Sequence, residues 1–259
     1  MIEAVVAGAG WVSSGGLGGT LRHSGFALQA GPLPEFRCGD VLRRPCPRFG
    51  RFDAFTRTGV AAVSLALEDA GLAAWESKRP IGIVAGTVLG CLDVDAAYYA
   101  SALDGDGSTA SPNLFAYTLP NCFLGEAAAQ FGLTGPAYVL TLAPSDPLRW
   151  LAVACDMLAD GAAPLVLAGV NETATAGRAS IAEGAFPGAA FLVLASPEAA
   201  ASLPRPLGRL RCGPGRTEFG GCEIRSLAAL IKAVIAVGRT VTAPYRPACP
   251  LEVAWTSLL

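Results

Sequence analysis

Apolar positions along the chain fall alternately into short runs and helical stripes. Ile2 to Ala7 is an apolar run of strand length, closed by a glycine-rich stretch that begins at Gly8. Asp53 to Leu72 predicts a helix with Val60, Val63, Leu67 and Ala70 on its core face and Gly71 as its stop. Ile81 to Thr87 predicts a buried strand, and Gly90-Cys91 opens a helix reaching about Leu103. Phe123 to Phe131 predicts a further short helix. Tyr138 to Ala143 is β-prone, and Pro144-Ser145-Asp146-Pro147 breaks it. Leu148, Leu151, Ala152, Cys155 and Leu158 then recur at helical spacing until Gly161. Ser145 or Asp146 is placed to cap that helix, with Pro147 in its first turn. Leu165 to Ala168 is a second buried strand, so the stretch predicts a βαβ unit with parallel strands. Beyond it, Gly188 to Ala195 predicts a strand and Pro204 to Cys212 an edge strand. Gly220 to Val237 predicts a helix with Ile224, Leu227, Leu230, Ile231 and Val234 inward, and Leu251 to Leu258 a last strand.

Composition narrows the class. A chain of 259 residues that is 52% hydrophobic and only 15% charged, with 31 glycines, favours a well-buried α/β globule over disorder. A net charge of −2 gives no electrostatic case for nucleic acid. No apolar run is long enough to span a bilayer, and no basic region precedes the first strand, so a cytoplasmic location is expected. The eight cysteines form no CxxC pair and read as free thiols. Cys38 and Cys46 share a loop, but His23 is the single histidine and metal-ligand spacing is absent, so no metal is expected. The glycine-rich GAGWVSSGG is not a GxGxxG fingerprint, and no nucleotide or other cofactor is expected. His23 reads as a surface residue, and Glu68-Asp69 as a solvated pair at a helix end. Cys91, near a helix start, would have some thiolate character but reads as structural.

Several of these segments carry a family resemblance. Gly135-Pro136, the strand, the turn, the helix ending Ala159-Asp160-Gly161 and then Leu167-Ala-Gly-Val-Asn-Glu172 resemble the nucleophile region of β-ketoacyl synthases, of the thiolase-like superfamily. RFDAFTRTGVAAVSLALEDAGL, the segment Ser111 to Cys122 and the strand from Gly188 extend the resemblance over most of residues 1–200, in the family's order. The resemblance implies an α/β fold: a thiolase-like half with a mixed, mostly parallel sheet and helices on both faces. It implies a ketosynthase N-terminal-like domain over residues 1–200. Residues 201–259 would then be a short C-terminal remnant (strand, helix, strand) packed on the same domain.

The same resemblance exposes a departure. In that family a cysteine sits in the turn between strand and helix, where the helix N-terminus favours a thiolate able to accept an acyl chain. Here the turn reads Ala143-Pro144-Ser145 and holds no cysteine. The family's second half brings two histidines that polarise the thioester carbonyl. Phe219-Gly220-Gly221 stands where the resemblance puts Gly-His-Thr, so Gly220 marks a lost histidine. Losing the nucleophile removes covalent catalysis, and each lost donor costs about 3 kcal/mol of transition-state stabilisation. The resemblance therefore implies a non-catalytic subunit of chain-length-factor type in a fatty-acid or polyketide-type pathway. Its partner would be an active ketosynthase or a second copy, met through an apolar face near residues 112–142. An acyl-carrier protein is a further candidate partner. Arg37, Arg43, Arg44, Arg48 and Arg51 could meet it, although a solvated loop is the plainer reading of residues 31–51. Two alternatives stay open: a shortened carrier-dependent condensing enzyme using Ser145 or Cys122, and a stand-alone acyl- or carrier-binding module.

Overall fold

A computed structural model describes residues 1–22, 25–27, 31–103, 107–143, 145–173, 187–213 and 216–240. His23, Pro144, Cys249 and the strand expected over 251–258 lie outside the described residues. The elements run β1 (Ile2–Ser13), β2 (Gly16–Gly19), α1 (Cys38–Val41), a 3₁₀ turn (Phe49–Arg51), α2 (Ala54–Asp69), β3 (Ile81–Thr87), α3 (Leu92–Leu103), α4 (Pro112–Phe115) and α5 (Cys122–Phe131). They continue with β4 (Ala137–Thr141), α6 (Arg149–Ala159), β5 (Leu165–Glu172), β6 (Gly188–Ala195), α7 (Pro197–Ala200), β7 (Gly208–Gly213), β8 (Arg216–Phe219), β9 (Cys222–Glu223) and α8 (Leu227–Thr240).

The described strands form one mixed sheet in the order β4-β3-β5-β6-β1-β7-β8-β9, with β2 hairpinned onto β1. β4, β3 and β5 run parallel, and the remaining pairs are antiparallel. The expected βαβ unit is present, but its strands β4 and β5 are not neighbours: β3 lies between them. All seven residues of β3 are buried, as a strand covered on both faces requires.

Each sheet face holds its own core. Along β6, Phe191 and Val193 pack toward α2 and α5, while Ala190, Leu192 and Leu194 pack toward α6 and α8. This is the two-residue period of a strand buried on both sides. α2 begins at Asp53, whose carboxylate accepts the Phe55 and Thr56 amides, and nearly its whole length is buried. Among the described residues no helix is long and apolar enough to cross a membrane.

β1 is twice as long as the run Ile2 to Ala7 suggests. Gly8 and Gly10 read as strand breakers, yet both lie inside it because α2 crosses there at backbone distance. A Cβ on Gly10 would sit 2.1 Å from the Ala66 amide nitrogen, and one on Gly8 2.6 Å from that of Ala70. The C-terminal segment also differs. β7 is no edge: it pairs with β1 on one side and β8 on the other. Gly220 and Gly221 do not start a helix; with φ of +59° and +88° they form the two-residue turn between β8 and β9. Consecutive positive φ values suit a type I′ hairpin, which glycine adopts without strain. The helix starts only at Leu227, and Leu230, Ile231 and Val234 face the core as its spacing predicts.

Asp69 is a correction. Its side chain is only 2% exposed, so it is not solvated. It accepts hydrogen bonds from the Ala9 and Leu21 amides, the Thr20 hydroxyl and the Arg205 guanidinium. Glu68 faces outward and pairs with Arg43 at 2.9 Å.

Candidate functional site

The carboxyl ends of the parallel strands β4, β3 and β5 meet at one edge of the sheet, where α/β folds place their sites. Glu172, at the end of β5, is buried and accepts the Thr87 hydroxyl (3.1 Å) and the Val88 and Leu89 amides (2.9 Å each). It therefore holds the loop that leaves β3. Next to it Asn171 donates to the Phe55 carbonyl at 2.9 Å, tying β5 to the start of α2. Leu142 donates to the Thr87 carbonyl at 2.8 Å, so the turn after β4 is fastened to the same loop. From the sequence alone Asn171 and Glu172 carry no assigned role. An acid that ends an apolar strand was the available signal.

The turn itself is exposed at Ala143, Ser145, Asp146 and Pro147. Neither Ser145 nor Asp146 caps α6. The chain makes two successive tight turns, Asp146 N–H to Ala143 O (3.0 Å) and Arg149 N–H to Asp146 O (3.4 Å). The helix is thereby delayed to Arg149, with Leu148 at the cap position and no side-chain cap. Pro147 stays outside it and accepts the Trp150 indole N–H at 3.1 Å.

Behind the turn lies a cavity of about 770 Å³. One wall is Ser145 to Arg149 together with Ala152, Cys155 and Asp156 of α6; the opposite wall is Cys212, Thr217, Glu223 and Arg225. Its volume is that of a small-molecule site. Its ionisable side chains are carboxylates, guanidinium groups and thiols. Gly220 sits in the exposed hairpin turn and is not among the lining residues.

Residues 42–185 match the family model "Beta-ketoacyl synthase, N-terminal domain". The chain belongs to the β-ketoacyl synthase family. Among curated proteins it is 29% identical over 147 residues to 3-oxoacyl-[acyl-carrier-protein] synthase 2 of Vibrio harveyi, covering 56% of this chain and 35% of that one. It thus spans about a third of the length of the curated relatives it matches. Among solved structures it resembles the ishigamide ketosynthase/chain length factor, with TM-score 0.62 and 19% identity over 81% of this chain and 66% of that one. It also resembles a ketosynthase in complex with its chain length factor from Xenorhabdus doucetiae, with TM-score 0.55 and 16% identity over 76% of this chain and 80% of that one. At such identities these likenesses establish the thiolase-like ketosynthase fold.

The exposed turn from Thr141 to Arg149 holds no cysteine, and the candidate thiols lie elsewhere. Cys91 is buried, and its Sγ lies 3.6 Å from both Asp95 carboxylate oxygens. Burial first, then the Asp95 charge, pushes its thiol up to about 12, so the helix start confers no thiolate character. At pH 8 its alkylation by iodoacetamide is expected to run about a thousandfold slower than that of an ordinary exposed thiol. Peptide-resolved labelling rates check this; labelling of Cys91 as fast as exposed Cys222 would contradict it. Cys122 opens α5 and lines a separate cavity with Arg48, Arg51, Tyr117 and Glu126; burial raises its pKa as well. Among the described residues no three His, Cys, Asp or Glu side chains gather as a metal site, and burial raises Cys46.

The arginine loop is largely engaged within the chain. Arg43 and Arg48 pair with Glu68 and Glu126 at 2.9 and 2.8 Å, and Arg44 stacks on Trp75 while donating to its carbonyl.

Proposed function

We propose that this chain is a non-catalytic β-ketoacyl synthase-like subunit that pairs with an active ketosynthase in a fatty-acid or polyketide-type pathway. One observation carries this reading: the turn from Thr141 to Arg149, where the family holds its nucleophile, contains no cysteine. The scaffold around that turn is nevertheless intact: Leu142 fastens it to the loop after β3, and Glu172 holds that loop.

Pairing is supported by the surface. β4 is the terminal strand of the described sheet, and its outer edge has no strand partner among the described residues. Large apolar side chains of the stretch 112–142 stand in solvent: Phe115 and Leu119 are 61% and 62% exposed, and Tyr138 is 49% exposed. Both solved structures named above are described as containing a ketosynthase and a chain length factor. A second copy of this chain would use the same face. We read β7–β9 and α8 as a short cover on the ketosynthase-like fold, since they extend its own sheet.

The test is co-expression with an active ketosynthase from the same source, followed by affinity purification and size determination. A one-to-one complex is expected, and a chain that stays monomeric beside the ketosynthase would count against the reading. The condensing-enzyme reading rests on Ser145, which opens into the 770 Å³ cavity. Incubation with a radiolabelled acyl thioester separates the two. No covalent label is expected on Ser145 or Cys122, because the serine lacks an imidazole base in the cavity and the thiol is held protonated. Label on either would reverse the assignment.

A further inference from the structure

Cys155 and Cys212 meet at the helix–strand contact that closes the rear of the cavity. Cys155 comes from the middle of α6 and Cys212 from β7, and they are 0% and 5% exposed. The two thiols lie close enough to interact, and the Thr217 hydroxyl lies beside Cys212. All three residues line the cavity; Cys155 is sealed, and Cys212 keeps the exposure of the pair. Cys38, Cys46, Cys91 and Cys122 all belong to the core on the opposite sheet face. The remaining described thiol, Cys222 of β9, is exposed, whereas this pair is buried. Nothing in the ketosynthase-like role uses it.

We propose that Cys155 and Cys212 form a redox-modification site, closing to an intrachain disulfide on reaction with a small-molecule disulfide that enters through the cavity. The chemistry is two successive exchanges. The Cys212 thiolate attacks one sulfur of the small disulfide; that S–S bond breaks, and the departing thiolate takes up the proton Cys212 has lost. Cys155 then loses its proton and attacks the Cys212 sulfur of the mixed disulfide, and the second small thiolate leaves as a thiol with that proton. Two electrons pass from the cysteine pair to the small disulfide, which departs as two thiols.

The environment assigns the two roles. Hydrogen bonds from Cys155 and from Thr217 pull the Cys212 pKa down, against the opposing effect of burial. The same thiol–thiol bond, together with burial, pushes Cys155 up. Cys212, which keeps 5% exposure where Cys155 has none, is the attacking thiol and Cys155 the resolving one. The product would cross-link α6, which follows the nucleophile turn, to β7 on the opposite wall of the cavity.

Purified protein is incubated with oxidised glutathione, quenched with iodoacetamide and mapped by mass spectrometry after proteolysis. A Cys155–Cys212 cross-linked peptide is expected, with an intact mass lower by two hydrogens and full reversal by dithiothreitol. Cys155→Ala is expected to stop the reaction midway and leave one glutathione on Cys212. Cys212→Ser is expected to leave Cys155 unmodified. Cys155 and Cys212 both recovered as free thiols, while exposed Cys222 carries glutathione, would overturn the site. So would a cross-link joining either residue to a different cysteine. Circular dichroism checks the variants, and if Cys155→Ala does not fold, the wild-type map decides alone.

Discussion

Asp69→Ala is expected to destabilise the protein by about 3–5 kcal/mol, the cost of breaking a buried ion pair from one side. Asp69 ends α2, yet its carboxylate serves three other parts of the chain. It accepts the Ala9 amide of β1 at 2.9 Å, the Leu21 amide just past β2 at 2.9 Å, and the Thr20 hydroxyl at 2.9 and 2.8 Å. Arg205, in the segment leading to β7, reaches it at 3.3 Å and also donates to Thr20. Removal strands the buried Ala9 and Thr20 donors, and leaves the 17%-exposed Arg205 without its counter-charge. Arg205 Nε and Nη1 already lack a partner among the described residues, so the guanidinium has little else to bind. Thermal melts followed by circular dichroism are expected to show a drop of roughly 10 °C or more. The double variant Asp69→Ala/Arg205→Met is expected to recover part of the loss, because it removes the stranded charge as well. A shift of a degree or two for Asp69→Ala would mean that the cluster does not hold the segment to the sheet.

That cluster shows where sequence reading stops. An acidic pair at a helix end normally points to water, and Glu68 does so. Only the contact between α2 and β1 turns its neighbour inward, and that contact is set by residues about sixty positions away. The same long-range contact explains Gly8 and Gly10, which look like punctuation and are spacers for a crossing helix. By contrast, α2, β3 and the apolar strands of the βαβ unit were legible, because burial imprints its period on the local sequence. The insertion of β3 between β4 and β5 left no such mark, since all three strands pair nonlocally. At the turn after β4 the order of elements can be read from the residues. The delayed helix start cannot, because Ser145 and Asp146 are good capping residues by type and fail only through the two tight turns around them. Cys155 and Cys212 read as separate core thiols, 57 positions apart by subtraction of their numbers. Nothing local foretells that a helix and a returning strand bring them together at the rear of one cavity.

Val139→Pro is expected to abolish co-purification with a ketosynthase while leaving the fold standing. The reasoning is one of parity. The bonds bracketing β4 run from Ile83 N–H to Pro136 O (2.9 Å) and from Leu142 N–H to Thr87 O (2.8 Å). In a parallel ladder alternate residues serve one neighbour, so Tyr138 and Leu140 bond β3 while Ala137, Val139 and Thr141 turn their N–H and C=O groups to the open edge. Proline at position 139 therefore removes a donor from the outer edge and spares the β3 ladder. Its ring also favours an extended residue before it, which Tyr138 already is. If a partner adds a strand here, the loss is expected to exceed a hundredfold in affinity, about 2.7 kcal/mol. Leu140→Pro supplies the control from the neighbouring position. It breaks the ladder to β3 and is expected to lower the melting temperature, whereas Val139→Pro leaves it nearly unchanged. Partner binding that survives Val139→Pro would move the contact off the strand edge and onto side chains such as Phe115 and Leu119, where charge substitutions would then have to weaken it.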